Sequence, residues 1–197
     1  SALMGVLAEK TFYTVCEFMR EKYFVDICGE HTALPVISLP NGAKICFFNL
    51  HGNVKLTERC AAALAERVAD CDVLLTAESK GLQLTHCVAR ELGHDFYAVA
   101  RKSKKLYIQD GIEVEIESSI TTGKAQKLYL SAGDAELLRG KKVGIIDDVI
   151  STGSSLYGLE RIVELAGGVI HKKAFVLAEG DAKNRTDIIY LADIPLL

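Results

Sequence analysis

No apolar run in the sequence is long enough to cross a bilayer; the long uncharged stretch at 31–43 is too short and is interrupted by Pro35 and Pro40. No signal-peptide pattern opens the chain, so a cytosolic protein with no membrane partner is expected. The six cysteines (Cys16, Cys28, Cys46, Cys60, Cys71, Cys87) include no C-x-x-C pair and follow no metal-ligand spacing. They read as small hydrophobes in a reducing compartment, as in Lys44-Ile45-Cys46-Phe47-Phe48. Strong charge of either sign is also missing. A net charge of -3 gives no general attraction to nucleic acid. In the first 50 residues Lys10, Arg20, Lys22 and Lys44 stand against Glu9, Glu17, Glu21, Asp26 and Glu30, which leaves no basic recognition helix. Internal repeats and low-complexity segments are absent. What is present, 49% hydrophobic and 25% charged residues over 197 positions, describes one globular domain, with or without a small appendage.

Periodicity divides the chain near residue 50. Residues 11–23 place Phe12, Val15, Cys16, Met19 and Tyr23 on one helical face. Asn41-Gly42 predicts a hairpin turn between 36–39 and 43–48. Asn53 then caps a helix with Leu56, Cys60, Leu64 and Val68 on its apolar face. A strand at 72–76, a loop at 77–80, a helix at 81–92 closed by Gly93 and a strand at 96–100 form a β-loop-α-β unit. The unit recurs as strand 142–147, loop 149–153, helix 154–166 ended by Gly167-Gly168, and strand 169–177. Between the two units, 112–117 and 125–130 alternate like an exposed hairpin. The expected fold is α/β: an open, mostly parallel sheet flanked by helices, with ligands at the carboxyl ends of its strands.

The most informative run is Val143-Gly144-Ile145-Ile146-Asp147-Asp148-Val149-Ile150-Ser151-Thr152-Gly153-Ser154-Ser155. An apolar strand delivers two adjacent carboxylates, and a loop of hydroxyl residues and glycine then opens a helix. A helix start with free N–H groups and flanking hydroxyls suits a phosphate monoester, and Gly153 allows close backbone approach. Two carboxylates beside it suit ribose hydroxyls, directly or through Mg²⁺ and its waters. The Gly-Lys-Ser/Thr ending of a Walker loop is absent. Thr76-Ala77-Glu78-Ser79-Lys80-Gly81 is a second anion-binding helix start, now with a fixed cation.

The segment 145–153 resembles the phosphoribosyl-pyrophosphate signature of the type I phosphoribosyltransferases. Residues 51–197 resemble the adenine phosphoribosyltransferase branch in order and spacing, with xanthine phosphoribosyltransferase a near relative. The resemblance implies a core at 51–197, a small N-terminal hood at 1–50 over the base, and a β-hairpin flexible loop that closes the site. It implies that Asp147 and Asp148 hold the ribose hydroxyls and Mg²⁺, and that Ser151, Thr152, Gly153, Ser154 and Ser155 bind the 5-phosphate. It assigns pyrophosphate to Glu78, Ser79, Lys80 and Gly81, with a cis peptide expected at Glu78–Ser79, and to Arg101, Lys102, Lys104 and Lys105 just beyond the neighbouring strand. The basic run Arg101-Lys102-Ser103-Lys104-Lys105 resembles the family's Arg-Lys segment, which works across a dimer interface in several members; a homodimer is the expectation. Asp147, Asp148, Lys80 and Arg101 are the implied catalytic residues.

One departure concerns the flexible loop, which resembles 106–124 and ends in Thr121-Thr122-Gly123-Lys124. The adenine enzymes carry a glutamate a few residues before Gly-Lys; here Thr121 takes that position, with Glu117 the nearest acid. Threonine donates a hydrogen bond but is no general acid near neutral pH. Three readings stay open: transfer of phosphoribose to a purine, first of all adenine; a xanthine- or guanine-type enzyme; and a phosphoribosyl-pyrophosphate-binding regulator. Tyr23, Phe24, Phe47 and Phe48 are the hood's aromatic candidates for the base.

Overall fold

The computed structural model describes residues 21–104, 110–116 and 126–197. The chain opens with β1 (Lys22–Ile27), β2 (Glu30–Ser38) and β3 (Lys44–Cys46), a three-stranded antiparallel sheet in that order. Tyr23 therefore lies in a strand, not on the expected helix, whose other residues fall outside the described part. Cys28 and Gly29 turn β1 into β2 with φ of 51° and 77°, the positive pair that a two-residue hairpin twist requires. Pro35 sits where β2 changes partner: it stands opposite Lys22 of β1, and Val36 begins the pairing with β3. A residue without an N–H is tolerated at such a handover. The Asn41-Gly42 turn forms as expected, with Gly42 at φ 84° and Asn41 Oδ1 accepting from the Ala43 N–H at 3.2 Å.

The rest of the chain builds a five-stranded sheet. It runs through α1 (Val54–Arg67), β4 (Val73–Ala77), α2 (Leu82–Leu92), β5 (Ala98–Ala100), the hairpin β6 (Ile112–Ile116) and β7 (Gln126–Leu130), and α3 (Ala132–Leu138). Then follow β8 (Lys142–Ile150), α4 (Ser154–Ala166), β9 (Val169–Glu179), a 3-10 turn (Gly180–Asn184) and β10 (Ile189–Ile194). The sheet order is β10-β9-β8-β4-β5, every pair parallel.

A parallel sheet needs cover on both faces, so its central strands are mainly apolar. All five residues of β4 are buried. Alternate residues then supply two cores. Leu75, Ile145 and Phe175 pack with α3, α4 and the β6–β7 hairpin. Leu74, Ile146 and Val176 pack with α1, α2 and the hood residues Ile27, Leu34, Phe48 and Leu50. The hood thus shares a core with the sheet. Asn53 caps α1 as its spacing predicts, and Leu56, Cys60, Leu64 and Val68 are all buried. Among the described residues no helix is long and apolar enough to cross a membrane.

The hairpin is seated by a glycine. A Cβ at Gly158 of α4 would come within 2.9 Å of Ile116 and 3.1 Å of Leu128. Gly158→Leu should therefore lower unfolding stability by about 1–3 kcal/mol, the usual cost of overpacking, read as a shift in urea midpoint.

Candidate functional site

The chain leaves β4 toward β5 at one edge of the sheet and leaves β8 toward β9 at the other. The point where the strand order reverses lies between β4 and β8, the place where open α/β sheets bind ligands. Pairing between these two strands reaches only Leu75 opposite Ile145. Beyond it, β4 pairs with β5 as far as Ala77–Ala100, while β8 pairs with β9 as far as Ile150–Ala178. A crevice opens between them. Asp147 and Asp148 stand on its β8 side, inside a strand that extends to Ile150 and not, as expected, at its end.

The crevice is charged and incompletely satisfied. The Asp148 N–H donates to Asp147 Oδ1 and the Val149 N–H to Asp148 Oδ1, each at 2.9 Å. Asp148 is 5% exposed, and its Oδ2 has no hydrogen-bond partner; Lys80 Nζ is 3.7 Å away. Thr76 Oγ1, across the crevice, is also buried without a partner. Buried polar atoms in a native site are normally paired, so two orphans here fit a ligand that pairs them. Burial pushes the Asp147 carboxyl up to about 8, and the neighbouring Asp148 charge adds to the rise. Asp148 is also raised by burial, which outweighs the pull of Lys80. No Cβ fits at Gly81, where one would lie 2.3 Å from Thr76 Oγ1 and 2.9 Å from Asp147 Oδ1.

The loops on the β4 side are braced by their own charges. The Glu78–Ser79 peptide is cis. Glu78 Oε1 accepts from the Lys102 N–H at 2.8 Å, and its Oε2 lies 3.6 Å from Arg101 Nη1. Arg101 exchanges two 2.8 Å backbone hydrogen bonds with Tyr129, tying this loop to the β6–β7 hairpin. Lys102 is near enough to pull against the rise of the Asp147 pKa, whereas Lys104 acts on Glu113 of the hairpin. Lys105, Thr121, Thr122 and Glu117 lie outside the described residues, as does the hairpin tip. Lys80 turns toward the hood. Its Nζ donates to the Phe48 carbonyl at 3.2 Å and sits 5.1 Å from the centre of the Phe47 ring.

Two helices away from the crevice are capped by side chains, Asn53 on α1 and Ser131 on α3. The two that start at the crevice, α2 and α4, begin at Gly81 and Gly153 and lack such a cap. Gly153 takes φ 85°, which favours glycine there. Ser151, Thr152, Gly153, Ser154 and Ser155 wrap a cavity of about 160 Å³ that Asp147 and Phe175 also line. Arg185 escaped notice in the sequence. Asp187 clamps it through Nε at 2.9 Å and Nη2 at 2.7 Å, and its Nη1 would lie 2.9 Å from a Cβ at Gly153. The one available signal was an arginine spaced to pair with Asp187 just past the 3-10 turn.

A second cavity, about 320 Å³ and mainly apolar, lies between hood and core. Leu39, Ile45, Phe47 and Phe48 form its hood wall, and Val149, Thr152, Lys80, Glu179, Leu196 and Leu197 are among the residues opposite. Phe47 is 38% exposed while Phe48 is 3% exposed in the core, and Phe24 stacks outside on His31. Of the hood aromatics, then, Phe47 is the one exposed at the cavity, with Lys80 over its ring.

No family model matches the chain. A xanthine phosphoribosyltransferase from Exiguobacterium sp. is 30% identical over 139 residues, covering 66% of this chain and 70% of the relative. The chain belongs to the type I phosphoribosyltransferases. An adenine phosphoribosyltransferase from Fervidobacterium nodosum is 32% identical over 130 residues, covering 65% and 69%. Others, such as one from Methanococcus voltae, are named hypoxanthine/guanine phosphoribosyltransferase. Matches span between 56% and 70% of these relatives' lengths. The solved adenine phosphoribosyltransferase of Thermoanaerobacter pseudethanolicus superposes with a TM-score of 0.66 at 23% identity, over 82% of this chain and 95% of that one. The fold is that of this adenine-like branch.

The raised Asp147 pKa has a measurable consequence. Below pH ~4 the carboxyl is protonated in both folded and unfolded chains; between there and pH 8 only the folded chain keeps the proton. Stability therefore falls as pH rises through that window, and the penalty is complete above it. Asp147→Asn, which cannot ionise, should gain melting temperature over wild type by more at pH 9 than at pH 5, each ~1 kcal/mol appearing as about 2–4 °C in thermal scans.

Proposed function

We propose that this protein transfers the 5-phosphoribosyl group from phosphoribosyl pyrophosphate to a purine base, with adenine the first candidate, and releases pyrophosphate. The observation that carries this reading is the meeting, in one crevice, of an acid pair whose buried member has an unpaired oxygen, an uncapped helix start at Gly153, and an apolar cavity beside both. A base nitrogen attacks the anomeric carbon as the bond to pyrophosphate breaks, through an oxocarbenium-like state. The chain must hold the two reactants in line, neutralise the leaving group and keep water out.

In this reading Ser151, Thr152, Gly153, Ser154 and Ser155 bind the 5-phosphate through backbone N–H groups and hydroxyls. Asp147 and Asp148 accept the ribose hydroxyls. Lys80, Arg101 and Lys102 face the pyrophosphate, with Ser79 and Gly81 approaching it by backbone; Glu78 holds Arg101 and Lys102 in place. Among the described residues no three acidic, histidine or cysteine side chains gather into a metal cage. That agrees with Mg²⁺, which is usually bound by one or two carboxylates together with substrate oxygens. Asp147 and Asp148 would hold it through the ribose and water, and it would neutralise charge on the departing pyrophosphate. The homodimer expected from the basic run stays part of this reading and is open to light scattering.

Pyrophosphate release should be measured with phosphoribosyl pyrophosphate, Mg²⁺ and each purine and pyrimidine base in turn. Release with a purine, lost by several orders of magnitude in Asp147→Asn/Asp148→Asn while the fold persists, is the expected result. Near-normal turnover of the double variant removes the reading; tight binding with no turnover on any base favours the regulator instead.

Gly153→Val should weaken ribose 5-phosphate binding far more than Thr152→Ala, in calorimetry. The valine meets both an unfavourable φ and the Arg185 guanidinium, while the alanine removes one hydrogen bond of about 1 kcal/mol. Equal affinity in wild type and Gly153→Val would place the phosphate elsewhere.

A further inference from the structure

The cavity between hood and core is apolar on most of its wall, but Glu179 and Lys80 bring charge to it. Lys80 is engaged by the Phe48 carbonyl and the Phe47 ring. Glu179 is not. It is the last residue of β9 and is held by backbone pairing to Ile194 of β10. Its carboxylate has no hydrogen bond or ion pair among the described residues, and it is partly buried. A carboxylate accepts hydrogen bonds and donates none, and placing one against apolar surroundings without a partner is costly. The aromatic face of Phe47 across the cavity offers a stacking surface for a flat heterocycle.

We propose, resting on the phosphoribosyltransferase reading, that Glu179 is the residue that sets base specificity, selecting purines that present an amino group over those that present an oxygen at the same position. An exocyclic amino group donates an N–H to Glu179. A carbonyl oxygen there brings two acceptors together and leaves the carboxylate unpaired in a largely apolar cavity. A site built to accept a hydrogen bond rejects the analogue that lacks the donor. Discrimination thus arises from the unpaired carboxylate as much as from the bond formed.

Two nucleoside monophosphates test this without requiring turnover: AMP and IMP, in which a carbonyl oxygen replaces the amino group at C6. Calorimetry on wild type should show AMP bound at least about tenfold more tightly than IMP, the scale of one charge-assisted hydrogen bond. Glu179→Gln, which keeps the shape but can also donate, should bring the ratio close to one, with ribose 5-phosphate affinity unchanged. A ratio near one in wild type, or a ratio that survives the substitution, overturns the proposal. If ribose 5-phosphate binds but neither monophosphate does better, the cavity is not the base site, and this proposal fails alone. If ribose 5-phosphate itself does not bind, the phosphoribosyltransferase reading fails and takes the proposal with it.

Discussion

Two neighbouring carboxylates in a strand buried on both faces would, in isolation, be a defect; around Asp147 and Asp148 the rest of the site is arranged to accommodate them. Strand geometry sends adjacent side chains to opposite faces. Asp147 follows Ile145 toward the side where Phe175 and the phosphate-type cavity lie, and Asp148 follows Ile146 toward the hood side, where Lys80 meets it. One strand therefore presents a carboxylate to each face of the sheet at the crevice. That arrangement is possible because β4 stops pairing with β8 at Leu75–Ile145. Had the ladder continued, the two strands would have closed the crevice between them.

The same crevice ties the hood to the chemistry. Lys80 is the shared element: its ammonium serves the Phe48 carbonyl, the Phe47 ring and the Asp148 carboxylate together. None of these is a strong contact by itself, for the side chain is 44% exposed and the ion pair is long. Together they hold a flexible lysine in the one place where hood, acid pair and pyrophosphate-type loop converge. An arginine would fork toward an anion; a lysine, as a point charge, can be shared among a carbonyl, a ring and a carboxylate.

What the sequence disclosed and what it concealed follow from the range of the interactions involved. Helix α1 was legible from Asn53 and four apolar positions at helical spacing, and α4 from Gly153 through Gly167, because these signals are local. The phosphate-type loop and the acid pair were legible because they are contiguous. The β1–β2 hairpin was missed because its turn is Cys28-Gly29, without the asparagine or aspartate that normally marks two positive φ values. Edge strand β10 was missed because its register is set by β9, some fifteen residues away across a 3-10 turn, and its residues are only half-buried. Helix α3 is short, with only Ala135 and Leu138 buried, too few for a period to show. The cis peptide at Glu78–Ser79 was expected only through the family resemblance; nothing in the residue types requires it.

The uneven legibility also bears on the mixed names of the relatives. In the proposed reading the phosphate side is one unbroken run from Asp147 to Ser155, so any chain that carries the run carries most of that half-site. The cavity proposed for the base is assembled from separate segments: the hood at Ile45 and Phe47, the strand end at Val149 and Thr152, and the C-terminal residues Glu179, Leu196 and Leu197. No single segment specifies that wall, and a change in any one of them can alter which edge of a purine is met. Adenine, xanthine and hypoxanthine/guanine enzymes can therefore all match this chain at comparable identity. On the proposed reading, the chemistry of transfer is written in a continuous motif, while the choice of base is distributed over residues that only the fold brings together.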